Sequence, residues 1–132
     1  MEGIGRTGSV KARSTMSTPH QASEALIPRP PLTTAALRAA VAQIAPAYLS
    51  QFVDHLDQAT EQAARQSTVA PLQSFLQQWG EFVAIQRYPT RAARLHALET
   101  KVATTTDRVT LDSALAEINE ITTSARREAI GE

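Results

Sequence analysis

Residues 71–95, PLQSFLQQWGEFVAIQRYPTRAARL, carry the pattern that sets the fold. Leu72, Phe75, Leu76, Trp79, Phe82 and Val83 recur at steps of three and four. At about 100° per residue they cover roughly one third of a helix circumference, the width of a core stripe. Pro71 falls in the first turn, where its missing N–H costs nothing, and Thr68 stands where an N-cap is expected. Pro89 stops the helix. Trp79 sits at the centre of the stripe, so Trp79, Phe75, Leu76 and Phe82 are expected to anchor the core. Gly80 lies on the flank. A helical Gly costs about 1 kcal/mol relative to Ala, so Gly80 reads either as the close approach of another helix or as an ordinary tolerated Gly. Ile85 lies off the stripe, either alone on the surface or on a second, smaller face.

Outward from this helix the period stays helical. Thr33 or Thr34 caps a first helix with Leu37, Ala40, Val41 and Ile44 on one face, and Pro46 ends it or starts the next. The next helix runs to about Gln66, with Leu49, Phe52, Val53, Leu56 and Ala63 inward and Asp54, Asp57 and Glu61 outward. Beyond Pro89, Thr90 starts a fourth helix with a narrow stripe of Leu95, Leu98 and Val102. TTTDRVT (104–110) reads as a loop, and Thr110 caps a last helix aligned on Leu111, Leu115, Ile118 and Ala125. No stretch has period two. The expectation is all-α: a small bundle of about five amphipathic helices over residues 32–132.

Residues 1–31 are rich in Gly, Ser, Thr, Pro and Arg and have no apolar period, which predicts a disordered tail. Met16 opens MSTPHQASEAL like a true start, so residues 1–15 read as upstream sequence.

The chain has 13 basic and 13 acidic residues and no cysteine. The balanced charge disfavours a nucleic-acid partner, which requires surplus cations. The missing cysteines remove disulfides, thiolate metal sites and cysteine nucleophiles. No secretory signal or membrane-length apolar run is seen, and a cytoplasmic location is expected. His20, His55 and His96 lack metal-ligand spacing, and no phosphate loop or nucleophile elbow occurs. No catalytic, cofactor or metal residues are therefore assigned. Arg87, Arg91 and Arg94 gather beside Tyr88 at the Pro89 break. They read as helix-end charge paired with Asp54, Asp57 or Glu61, or, if unpaired, as the contact surface for an acidic partner. Arg65 follows Glu61 by four and is expected to pair with it.

TTAALRAAVAQIAP, PLQSFLQQWGEFVAIQRYP and RAARLHALE together resemble a family of small, uncharacterised helical proteins of high-GC Gram-positive bacteria. The likeness spans roughly residues 28–128 and is most specific at the Trp79 helix. It implies a helical fold and carries over no catalytic residue. By analogy of type it implies an antitoxin or regulator that acts on a protein partner. The functional expectation is a non-enzymatic protein-interaction module, antitoxin-like, with a homodimer left open. The alternative is a DNA-binding regulator with a helix-turn-helix in the first three helices. The acidic row of the second helix argues against it.

Overall fold

In the computed structural model, residues 24–131 are described. The predicted tail over residues 1–23, and the reading of residues 1–15 as upstream sequence, lie outside them. Five α-helices follow in order: α1 (Thr34–Ile44), α2 (Leu49–Gln66), α3 (Ala70–Gln86), α4 (Pro89–Thr104) and α5 (Arg108–Ala129). A single 3-10 turn, Pro46–Tyr48, joins α1 to α2. No strand occurs among the described residues, and none of the described helices is long and apolar enough to cross a membrane. The expected all-α bundle is the observed fold.

The Trp79 helix is its axis: α3 packs against each of the other four helices. One side of α3 meets α1 and α2 around Leu37, Val41, Phe52, Phe75, Trp79 and Val83. Phe52 stands edge-on to both Phe75 and Trp79, with ring centroids 5.0 and 5.1 Å away, the arrangement that sets a positive ring edge against a negative face. Trp79 and Phe75 are buried, whereas Leu76 and Phe82 are half-buried at the edge of the same core. The other side of α3 carries Ala84 and Ile85 into a second core with Ala125 and Ala129 of α5. Ile85 thus belongs to a second face. An apolar helix with two buried faces is a central helix.

Gly80 explains how closely the layers approach. A Cβ there would lie 2.5 Å from Leu32 Cδ2 and 3.3 Å from the Ala129 Cβ. The close approach is made by α5 and also by Leu32, which precedes α1.

Several local expectations need correction. Residues 24–31 are not part of a free tail: Ile27 is buried, and the Leu26 N–H donates to the Arg87 carbonyl at 2.7 Å. Pro89 opens α4 rather than only closing α3, because its fixed φ suits a first helical position. The loop at 104–110 shrinks to residues 105–107, and the N-cap of α5 is Asp107, not Thr110. The Asp107 carboxylate accepts from both the Thr110 hydroxyl (2.6 Å) and the Thr110 N–H (2.9 Å). Those bonds hold its carboxyl below the usual carboxylate range. Leu115 is 46 % exposed, and the buried row of α5 is Ala114, Ala125 and Ala129. Thr33 caps α1, its hydroxyl accepting from the Ala36 N–H at 3.1 Å. Thr68 accepts from the Ala70 N–H at 3.3 Å, although backbone geometry places the cap of α3 at Val69.

Candidate functional site

The arginine corner is closed upon itself. Arg87, only 8 % exposed, donates through Nε (3.1 Å) and Nη2 (2.6 Å) to Glu128 of α5. Its Nη1 donates to the Ile27 carbonyl at 3.0 Å. Arg91 donates to the Ala84 carbonyl (2.9 Å) and to the second Glu128 oxygen (3.3 Å). Both guanidinium groups lie over the Tyr88 ring, 4.7 and 4.6 Å from its centre, adding cation–π attraction. Arg94 grips Glu117 bidentately at 2.6 and 2.7 Å. That hydrogen bond and its charge hold the Glu117 carboxyl below the usual range.

The expected partners Asp54, Asp57 and Glu61 are therefore replaced by Glu128 and Glu117. Those three acids lie on the exposed side of α2, while the corner faces α5. Arg65 pairs with Glu61 at 3.5 Å as expected. Arg87, and Arg91 through its Nη1, hold α3, α4, α5 and the leader that precedes α1 (residues 24–33) together. What Arg87, Tyr88, Arg91 and Arg94 do chemically is to latch the bundle.

The opposite feature, an opening, appears where the two cores meet. Tyr48, Gln51, Gln78, Trp79, Glu81, Phe82, Ile85, Leu95, Glu99 and Thr122 line a solvent-open cleft of about 290 Å³. The 3-10 turn brings Tyr48 over α3, where its ring meets Phe82 at 5.0 Å. Tyr48 remains 44 % exposed. Phe82 also meets Trp79 at 5.1 Å, so three aromatic side chains border the cleft from its mouth to the core. The Trp79 indole N–H is satisfied by His55 Nδ1 at 2.9 Å, which leaves the aromatic body of Trp79 for packing. Gln51 and Gln78 also line an adjoining depression with Ala47, Ser50, Asp54, His55 and Gln58.

Charge is one-sided along this surface. Asp54, Glu81 and Glu99 stand among the lining residues of the two depressions, and no Lys or Arg does. Glu81 accepts from Arg126 at 2.9 Å.

The cleft residues come from four segments between positions 48 and 122, and no sequence motif joins them. Tyr48 was the available signal: an aromatic residue after Pro46, off the apolar stripe of α2. Of the histidines, His55 is engaged by Trp79 and His96 is exposed; His20 lies outside the described residues. Among the described residues no cluster of His, Asp and Glu has the arrangement of a metal site. Against known proteins, the chain matches no family model, no curated protein and no solved structure.

Proposed function

We propose that this chain is a non-enzymatic protein-interaction module and that it seats its partner in the cleft between the two cores. In its particular form the reading is antitoxin-like or regulatory: a small helical module that occupies a partner protein. The observation that carries it is Tyr48, a large aromatic side chain left half in water at the mouth of a cleft floored by Phe82, Ile85 and Leu95. Aromatic anchors around a concave apolar patch with a polar rim are the composition of interface hot spots. The arginine corner serves this function indirectly, by fixing α4 and α5 against α3 and so setting the width of the cleft.

The test is site-specific crosslinking in the cell that makes the protein. A benzophenone amino acid at position 48 is expected to capture one discrete protein partner. The same group at position 109, where Val109 is exposed at the far end of the α4–α5 pair, is expected not to. Absence of any adduct from position 48, or equal adducts from both positions, defeats the reading.

A further inference from the structure

Resting on the reading of the cleft as a partner seat, we infer that its occupant is a basic segment of a protein, an apolar side chain flanked by Lys or Arg. The apolar requirement comes from the floor. Phe82, Ile85 and Leu95 offer no hydrogen bond, and the volume of about 290 Å³ suits a single anchor with its neighbours rather than a folded surface. The basic requirement comes from the perimeter. Glu81 of α3 and Glu99 of α4 line the cleft, and Asp54 of α2 lines the adjoining depression that shares Gln51 and Gln78, with no cation among either set of lining residues. Arg126 meets Glu81 from outside that lining, and no hydrogen bond or ion pair engages Glu99 or Asp54 among the described residues. Gln51 and Gln78 stand between the carboxylates, able to donate to and accept from an extended backbone. With Glu81 paired to Arg126, the unpaired carboxylates of Asp54 and Glu99 disfavour a phosphate and attract a cation by an interaction that salt weakens.

The charge is also local. Residues 45–86 hold Asp54, Asp57, Glu61 and Glu81 against Arg65 alone, although the whole chain is neutral. The stretch that carries Tyr48 is therefore net acidic although the total is neutral.

The experiment titrates the full chain with two synthetic peptides, one with a Leu flanked by lysines and one with the lysines replaced by glutamates. Trp79, the only Trp, lines the cleft and reports occupancy through its emission. The basic peptide is expected to bind and the acidic one not to. Raising salt from about 0.05 to 0.5 M, past the point where the screening length falls below 10 Å, is expected to weaken binding about tenfold. Asp54→Asn with Glu99→Gln is expected to weaken it by a similar factor. Asp57→Asn with Glu61→Gln, the same charge change on residues outside the cleft, is expected to leave it unchanged. Tyr48→Ala, at an exposed position, removes the mouth aromatic and is expected to weaken binding while melting stays cooperative.

Equal binding of the two peptides, or equal effects of the two charge-neutralised pairs, overturns the basic-segment inference and leaves the crosslinking result to judge the cleft by itself. Failure of the basic peptide to bind overturns it as well. Arg6, Lys11 and Arg13 in the N-terminal segment give one more check. If replacing all three with Gln tightens peptide binding about tenfold, the chain's own segment is the competing occupant and the inference falls.

Discussion

Arg87 shows what one buried cation can fix. It is tied to Glu128 and to the Ile27 carbonyl, so it joins residues 60 positions apart in one direction and 41 in the other. Arg87→Ala removes the bonds to Glu128 and leaves the Ile27 carbonyl unpaired, while Arg91 still meets Glu128. Hydrogen bonds to charged groups contribute about 1.5–3 kcal/mol, so Arg87→Ala is expected to lower stability by about 2 kcal/mol in denaturant unfolding. Arg94→Ala, which breaks the more exposed pair with Glu117, is expected to cost much less, because solvent screens that pair. Equal small losses would mean the corner is ordinary surface charge. The clustering of these arginines was plain in the sequence, and so was the structural role ranked beside the partner role. Their partners were not. A helical period assigns a residue to a face of its own helix; it does not say which distant helix that face meets. Glu128 lies 41 residues after Arg87, beyond any local spacing rule.

At the scale of the element, α3 was the most legible part of the chain and Gly80 its most informative position. Ala at position 80 would gain about 1 kcal/mol of helix propensity. It would also push a methyl into Leu32 and Ala129, and overpacking of this kind costs about 1–3 kcal/mol. The clash wins because Ala129 belongs to a helix held by the arginine latch and Leu32 is packed against both cores. Gly80→Ala is expected to destabilise by about 1 kcal/mol and to speed hydrogen exchange at the Leu26 amide, whose bond to Arg87 belongs to the same seat. Combining it with Leu32→Ala is expected to cost less than the sum of the two single changes, since one clash is shared. Unchanged exchange at Leu26 would separate Gly80 from the leader. The period rule also served α1, α2 and α4, where faces matched. It failed at the start of α5. The β-branched run at 104–110 weakens helix propensity, but Asp107 satisfies two donors of Thr110 and starts the helix three residues early.

At the scale of the whole molecule, acid is expected to act through two exposed carboxylates. Asp107 and Glu117 both titrate below their ordinary values in the folded state. Each therefore adds stability that is fully present above its unfolded value, about 3.9 for Asp and 4.3 for Glu, and is lost as pH falls through the folded one. The melting temperature is expected to hold from neutral pH to about 5 and then fall. Asp107→Asn with Glu117→Gln is expected to flatten that fall, because Asn still caps a helix and neither amide titrates. An unchanged acid limb in the double variant would place the loss elsewhere. The fold class was open to reading because amphipathic periods sum to a bundle. The cleft was not, since its lining comes from the 3-10 turn, α2, α3, α4 and α5 at once. The leader was missed for a similar reason: Ile27 and Leu32 are too few to make a period, yet each finds a place.

That leader has a kinetic consequence. Arg29 donates to the Glu128 carbonyl at 3.1 Å across 99 residues, so the described chain closes nearly into a ring. Contacts that span so much sequence bear the largest loop-closure entropy and are made after shorter ones. The leader offers little in return beyond Ile27 and Leu32, since Leu26 and Arg29 stay exposed. Its seat is thus expected to open more readily than the helices, which faster hydrogen exchange at the Leu26 amide than at the α3 amides would show. When it parts, Arg87 loses the Ile27 carbonyl while keeping Glu128, and the helices stay clasped. An open ring would leave the two cores coupled through α3, the helix they share.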